Sequence, residues 1–212
     1  MMITVIPKPL LSEVLRPKSL SDLILSESLS RKLHRFVRDQ QIMNVTFYGS
    51  PGIGKTSAAR ILLSEINSDV YQLNGSNYKG DKTIVRSIEM FASTYSFEDK
   101  NKVVFIEEAD KLTKDVQEAL RYIIENTSFN CRYLLTVNDI SKITYAIQSR
   151  CVPICFDVPR REINSIVKQA IVKYTDILNE HDICIDPKVI KETVETYFPD
   201  YRSIANNFQL EI

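Results

Sequence analysis

The sequence predicts an α/β protein in which a five-stranded parallel sheet is covered by helices on both faces and is followed by a small three-helix lid. Up to Pro159, short apolar runs alternate with segments of helical periodicity, as parallel strands joined by crossover helices require. Beyond Pro159 the apolar residues recur only at helical spacing. We therefore expect an α/β domain over 1–158 and a helical lid domain over 159–212.

The composition is that of an ordinary globular protein. Apolar residues make up 44% of the chain and charged residues 25%, with Lys+Arg and Asp+Glu balanced at 27 each. A balanced charge excludes a broad polyanion-binding surface, so contact with nucleic acid would need a local group of basic residues. No apolar leader and no apolar run near the roughly 18 residues of a membrane span is present, which predicts a soluble cytoplasmic protein without membrane contact.

Four cysteines are present: Cys131, Cys151, Cys155 and Cys184. None of them forms a C-x₂-C pair and the two histidines lie far from them in sequence, so a zinc site is not expected. Cys151 and Cys155 fall on or beside a predicted strand. We expect both to be buried, reduced thiols.

The segment before the first strand contains two distinct parts. Three prolines within residues 1–18 disfavour a long helix and predict an extended arm that lies on the α/β core. Residues 25–37 carry apolar side chains at helical spacing among the basic residues Arg31, Lys32 and Arg35, with Arg38 directly after them, which predicts a surface helix.

Strands and helices then alternate along the chain. The predicted strands are 45–48, 70–73, 103–106, 132–137 and 152–156, the last with an irregular start at Pro153. The predicted helices between them are 56–66, 82–93 and 114–125, the last two capped by Asp81 and Thr113. The continuous apolar run at 103–106 is typical of a parallel strand buried on both faces. The lid helices are predicted at 163–178, from Asp186 to Tyr197, and from Asp200 to the end.

A phosphate-binding loop is predicted directly after the first strand. The segment Gly49, Ser50, Pro51, Gly52, Ile53, Gly54, Lys55 and Thr56 fits G-x-x-x-x-G-K-[ST], and Ser57 follows in the helix. Backbone N–H groups of such a loop cradle phosphates at a helix N-terminus. Lys55 would reach the β- and γ-phosphates, and the Thr56 hydroxyl would ligate Mg²⁺. A glycine-rich turn without this role is disfavoured by the flanking strand and helix, so we expect ATP with Mg²⁺.

An acidic pair follows the strand at 103–106. A phosphate-binding loop alone is compatible with a kinase, a GTPase or a motor protein. Glu107 and Glu108 favour an ATPase among these classes. At these places, P-loop ATPases hold Mg²⁺ through water and deprotonate the attacking water. The alternative is a solvated acidic turn.

Three further segments indicate one particular family of ATPases: Gln117-Glu118-Ala119-Leu120-Arg121, Thr136-Val137-Asn138 and Ser149-Arg150-Cys151. With the acidic strand they resemble a sliding-clamp loader ATPase subunit of the AAA+ superfamily, of the bacteriophage clamp-loader ATPase or replication factor C small-subunit type. The resemblance extends from Leu15-Arg16-Pro17 to Phe198-Pro199-Asp200-Tyr201-Arg202. The Ser-Arg-Cys segment is more selective than the phosphate-binding loop, and it disfavours another ATPase of the superfamily such as a helicase loader.

The resemblance implies roles for single residues. Asn138 matches sensor 1, which contacts the attacking water or the γ-phosphate, and Arg202 matches sensor 2, which reaches the nucleotide from the lid. Arg150 matches the arginine finger that completes the site of a neighbouring subunit. The arm residues Leu15, Arg16 and Pro17 would lie near the base. For each, the alternative is an ordinary turn, surface or helix-face residue.

Further residues are implied to contact or sense DNA. Gln117 matches the coupling glutamine of the family, whereas Lys79, Lys82 and Arg86 fall where the family places basic residues against DNA phosphates. In the absence of DNA, Lys79 would hold Glu108 away from the attacking water. A solvated charged helix face is the alternative for the three basic residues.

The implied function is that of an ATP-hydrolysing subunit that opens a sliding clamp and places it on primer–template DNA. Its partners would be other clamp-loader subunits, the clamp and DNA, in the cytoplasm of a cell or of a phage host. The alternative is a nucleotide-binding structural subunit that donates Arg150 but hydrolyses little. Glu107 together with Glu108 discriminates between the two. Two departures from the family pattern weaken the resemblance: Glu107 stands where the acidic strand of the family normally ends in Asp, and the chain stops before the helical collar into which family members continue.

Overall fold

The computed structural model describes residues 10–78, 80–81, 83–96 and 100–212, so that Lys79 and Lys82 lie outside the described residues. Five strands form one sheet in the order β2-β3-β4-β1-β5, and all neighbouring pairs are parallel. The strands are β1 (Val45–Tyr48), β2 (Ser68–Asn74), β3 (Asn101–Glu107), β4 (Cys131–Val137) and β5 (Val152–Cys155). The predicted parallel sheet is confirmed, and its order places β1 between β4 and β5.

Nine α-helices are assigned within the described ranges. They are α1 (Leu11–Val14), α2 (Glu27–Asp39), α3 (Lys55–Glu65), α4 (Thr83–Ser93), α5 (Lys114–Asn126), α6 (Tyr145–Gln148), α7 (Ile163–Glu180), α8 (Pro187–Tyr197) and α9 (Tyr201–Leu210). The Asp186 and Asp200 side chains cap α8 and α9, at the two positions where these helices were predicted to begin. Thr113 occupies the N-cap position of α5, but its side chain accepts no capping hydrogen bond.

Helices cover both faces of the sheet, which explains the continuous apolar run in β3. Val104 and Ile106 pack in one buried cluster with residues of α4 and α5. Val103 and Phe105 pack in a second cluster with residues of α2 and α3. Because successive strand residues point to opposite faces, a strand covered on both faces has to be apolar at every position.

The lid forms a third buried cluster, and the arm belongs to it. The prediction of an extended arm on the α/β core was wrong for residues 11–15, which include the short helix α1. Leu11 and Leu15 are buried among residues of α7, α8 and α9, and the Leu11 N–H donates to Gln209 Oε1 at 2.7 Å. The proline-free stretch between Pro9 and Pro17 allows one helical turn whose i and i+4 leucines share a face. The domain boundary at 158/159 stays a prediction.

Tyr201 connects the lid with the α/β core. Its side chain packs against both the second and the third cluster, and its hydroxyl donates to the carbonyl of Ile24 at 2.8 Å. The start of α9 is therefore attached to the segment that leads from the arm into α2.

The cysteine prediction was right for one residue of the pair. Cys151 is buried, whereas Cys155 is exposed because it lies on β5, the edge strand, where three of four residues are exposed. None of the helices in the described ranges is long and apolar enough to cross a membrane.

Candidate functional site

The loop between β1 and α3 approaches the lid closely at Gly52. Gly52 has a φ of 75°, in the left-handed region that favours glycine. A Cβ built there would lie 1.9 Å from Oδ1 of Asp200, and the Tyr201 N–H donates to the Gly52 carbonyl at 3.1 Å. The phosphate-binding loop is thus packed directly against the first turn of α9.

Lys55 is buried at the centre of this loop. Its Nζ donates to the carbonyls of Gly49 and Ser50, each at 2.8 Å, and to Oδ1 of Asn138 at 2.9 Å. Burial lowers the pKa of Lys55 below its ordinary value, against the opposing effect of Asp157 and Asp110. These three hydrogen-bond acceptors are neutral oxygens, so the ammonium can still attract an anion.

A cavity of about 410 Å³ opens beside the loop between the core, the arm and the lid. Its walls contain residues that the sequence assigned to nucleotide binding or hydrolysis: Leu15, Arg16, Pro17, Pro51, Gly52, Ile53, Gly54, Lys55, Thr56, Ser57, Glu108, Asn138 and Arg202. The tertiary structure therefore brings the phosphate-binding loop, the acid that directly follows β3 and the start of α9 to one cavity. Arg202 is near enough to Lys55 to lower its pKa further.

Glu108 is held by a residue that the sequence analysis missed. Its backbone is left-handed, with a φ of 51°, and its Oε2 accepts a hydrogen bond from the Ser76 hydroxyl. Ser76 lies in the turn after β2, and the register that pairs Asn74 with Glu107 places this turn beside the end of β3. The polar turn at 74–77 was visible in the sequence, but not which strand end it would meet.

Glu107 is bound away from the cavity walls. Its Oε1 accepts from Arg60 Nη2 on α3 at 2.7 Å and from Nε2 of Gln72 on β2. Only 11% of its side chain is exposed. The predicted Mg²⁺ contact of Glu107 stays a prediction, because in this arrangement its carboxylate is part of an ion pair.

The residues at the loop fit a Mg²⁺ ion that arrives with a nucleotide. No cluster of three or more His, Cys, Asp or Glu side chains suited to a metal occurs in the described part of the chain. Mg²⁺ needs few protein ligands, since substrate phosphates and water usually complete its octahedron. The Thr56 hydroxyl in the cavity wall is suited to one such position, and Oδ1 of the nearby Asp110 is buried without a hydrogen-bond partner among the described residues.

Of the other predicted residues that the structure describes, Arg150 and Arg86 are not part of the cavity walls. Arg150 follows α6 and binds the carboxylate of Glu125 on α5 and the carbonyl of Ala146, the latter at 2.6 Å. Arg86 is exposed on α4. Lys79 and Lys82 are outside the described residues, so their predicted DNA contacts stay predictions.

Gln117 joins two loops that follow the carboxyl ends of strands in the sheet. It is 2% exposed, and its Nε2 donates to the carbonyls of Leu112 and Lys142 at 3.0 and 3.1 Å. Its Oε1 accepts from the N–H of Thr144 at 2.8 Å. Gln117 therefore connects the segment after β3 with the segment after β4.

A parallel sheet with a glycine cradle after one strand, a buried lysine and an acid at the end of another strand of the same sheet defines a P-loop nucleotide-binding protein. Residues 45–158 match the model of the "ATPase family associated with various cellular activities (AAA)". The chain belongs to this family. Membership implies nucleotide binding and, in general, ATPase activity.

Curated relatives of this chain include subunits of two clamp-loading systems. The replication factor C small subunit of Methanocella arvoryzae is 37% identical over 146 residues, which are 66% of this chain and 45% of the relative. The sliding-clamp-loader large subunit of Enterobacteria phage T4 is 35% identical over 207 residues, which are 95% of this chain and 64% of the relative. The chain thus spans about half to two thirds of the length of these relatives.

Solved structures support the fold independently. The Thermotoga maritima RuvB Holliday junction branch migration motor superposes with a TM-score of 0.70 at 21% identity. The match covers 92% of this chain and 64% of that chain. At this identity the match shows the fold alone.

Proposed function

We propose that this chain is the ATP-binding and ATP-hydrolysing part of a clamp-loader subunit that opens a sliding clamp and places it on primer–template DNA. The observation that carries the proposal is the meeting of Lys55, Asn138 and Glu108 at one cavity, while Arg150 lies away from it. A site without an arginine finger of its own is expected of an ATPase that is completed by a neighbouring subunit. The similarity to the phage clamp-loader subunit supports the same assignment.

Nucleotide binding rests on the loop and the lid. The backbone N–H groups of the loop and Lys55 would hold the phosphates, and Thr56 would hold Mg²⁺ directly. Glu107 would contact its water shell after leaving Arg60. The ion, when bound, neutralises phosphate charge. Leu15, Arg16 and Pro17 would lie against the base, with Arg202 near the phosphates.

Hydrolysis requires a base near the attacking water. Glu108 lies in the cavity wall, but its carboxylate accepts the hydrogen bond of Ser76. We therefore propose that Glu108 is held in a resting position, and that DNA binding frees it for the attacking water. Asn138 would orient that water, and Arg150 would act on the site of a neighbouring subunit.

Coupling to DNA would use the two segments that Gln117 connects, which follow the carboxyl ends of β3 and β4. Arg86, with Lys79 and Lys82, would contact phosphates without reading sequence. Gln117 would then relay a shift of the segment after β3 to the segment after β4, where Asn138 lies, because it is hydrogen-bonded to both.

One observation favours a second candidate, a structural subunit that binds nucleotide and donates Arg150. Both acids at the end of β3 are engaged by other side chains: Glu107, its last residue, by Arg60, and Glu108, which follows it, by Ser76. If these contacts persist in the assembled complex, neither carboxylate reaches the reacting groups.

The test is ATP hydrolysis by the chain alone and after assembly with candidate clamp-loader subunits, clamp and primed DNA. We expect slow hydrolysis by the monomer and strong stimulation on assembly, since an arginine finger contributes about 10³–10⁵ in rate. Glu108→Gln should abolish the stimulated rate while nucleotide binding remains. Rapid hydrolysis by a monomeric sample would contradict completion in trans, and an unchanged rate of Glu108→Gln would favour the structural subunit.

A further inference from the structure

The guanidinium of Arg150 is almost fully occupied by groups of its own chain. Nη1 donates to the carbonyl of Ala146 at 2.6 Å and to Oγ of Ser149 at 3.1 Å, and Nη2 donates to Oε1 of Glu125. Nε is buried and has no hydrogen-bond partner among the described residues. Only 28% of the side chain is exposed.

This arrangement leaves no edge of the guanidinium open for a phosphate. A guanidinium has five N–H donors, and a bidentate contact needs two of them on one edge. Both hydrogens of Nη1 are used, Nε is buried, and one hydrogen of Nη2 points to Glu125. Arg150 can therefore bind a phosphate group bidentately only after it has left this position, and with it Glu125, its only charged partner in these contacts.

Glu125 can release Arg150 without becoming an unpaired charge. Its Oε2 accepts from Nη1 of Arg121 at 3.0 Å, one turn earlier on α5. Arg121 also binds Glu118, with Nε 3.0 Å from Oε2. When Arg150 leaves, Glu125 therefore keeps Arg121 as its partner, so that separating Arg150 from Glu125 costs little free energy.

We propose that Glu125 is a latch that holds Arg150 within its own subunit and competes with the nucleotide of the neighbouring subunit for it. This inference rests on the proposed function, in which Arg150 acts in trans. Hydrogen bonding to Arg150 holds the pKa of Glu125 below its ordinary value, so the latch is charged at neutral pH. Because of the latch, Arg150 contacts the nucleotide of the neighbouring subunit for only part of the time. Glu125 is therefore a positioning residue that affects the reaction only through Arg150.

The test compares Glu125→Gln with the matched control Glu118→Gln in the assembled complex. Both changes remove one carboxylate from the exposed face of α5, but only Glu125 contacts Arg150. Because exposed ion pairs are weak, Glu125→Gln should raise kcat for ATP about two- to fivefold, with little change in KM. Glu118→Gln should leave kcat unchanged, and both variants should unfold at similar temperatures.

A third and a fourth variant separate the latch from the proposed function. Arg150→Ala should lower kcat strongly, and Glu125→Gln combined with Arg150→Ala should behave like Arg150→Ala alone. If Arg150→Ala lowers kcat but Glu125→Gln does not raise it, the latch is wrong and the proposed function stands. An equal rise for Glu118→Gln would also overturn the latch. If Arg150→Ala leaves kcat unchanged, the action in trans and the latch both fail.

Discussion

Nζ of Lys55 lies 2.9 Å from Oδ1 of Asn138, although the two residues are 83 positions apart in the chain. The contact exists because β1 and β4 are neighbours in the sheet and Tyr48 pairs with Val137, so that the segments following the two strands begin side by side. Lys55 is thereby held by the phosphate-binding loop on one side and by a predicted catalytic residue on the other.

Replacing Lys55 should weaken nucleotide binding. Lys55→Ala removes the ammonium that the loop holds in place, and the loss of a charge-assisted contact to phosphate should lower ATP affinity about ten- to hundredfold. Isothermal titration calorimetry measures the change, with Lys168→Ala, an exposed lysine on α7, as the control. If Lys55→Ala and wild type bound ATP with equal affinity, the loop would not be a phosphate-binding loop.

Releasing Glu108 should raise basal hydrolysis. Ser76→Ala deletes the hydroxyl that donates to the Glu108 carboxylate. In the assembled complex we expect a higher rate without DNA and a smaller stimulation by primed duplex, because the base no longer has to be freed. Ser93→Ala, at an exposed position of α4, is the control. A basal rate and a stimulation like those of wild type would show that this hydrogen bond does not restrain Glu108.

The basic residues near α4 should affect DNA binding in different ways. Arg86→Ala should weaken binding for all sequences and reduce the slope of log affinity against log salt by about 1, as expected for one lost phosphate contact. Lys79→Ala should in addition raise the hydrolysis rate without DNA, if it restrains Glu108 as the family resemblance implies. Fluorescence anisotropy at several salt concentrations measures the change in DNA binding, and ATPase assays measure the change in hydrolysis without DNA. Unchanged salt slopes would place both residues on a solvated surface.

Two helix caps provide a matched test of the contact between lid and loop. Asp200 caps α9 by accepting from the N–H groups of Arg202 and Ser203, and Asp186 caps α8 by accepting from Lys188. Replacement of either by Ala should lower the free energy of unfolding by about 1 kcal/mol. Only Asp200→Ala should also change nucleotide affinity, because Asp200 packs against Gly52. Denaturant melts and calorimetry measure the two effects, and equal affinities of the two variants would contradict the coupling.

The cysteines should differ sharply in reactivity. Burial raises the pKa of Cys131 to about 11 and that of Cys151 to about 12, so both remain protonated at pH 8. Because the thiolate is the reactive form, iodoacetamide should modify the exposed Cys155 and Cys184 and spare the two buried residues. Mass spectrometry of labelled peptides checks this, with urea-unfolded protein as the control in which all four react. Rapid labelling of Cys151 in the native state would contradict its burial.

Local patterns in the sequence were sufficient to predict the layered fold and the phosphate-binding loop. The glycine-rich segment at 49–56 follows a strand and opens a helix, and its positive-φ glycines and the hydrogen bond from Lys55 to Gly49 all lie within the segment itself. The alternation of apolar runs with helical periodicity likewise predicted the parallel sheet, because periodicity reports how each segment is buried.

Contacts between distant segments were decided only by the tertiary structure. The sheet order brings Asn138 to Lys55, pairs Glu107 with Arg60 and places Ser76 beside Glu108. The packing of α5 against α6 brings Glu125 to Arg150. Sequence periodicity shows which face of a segment is buried but not which neighbour covers it, so it could not assign these partners. For the same reason the sequence alone determined the type of site, and the tertiary structure determined which side chains restrain it.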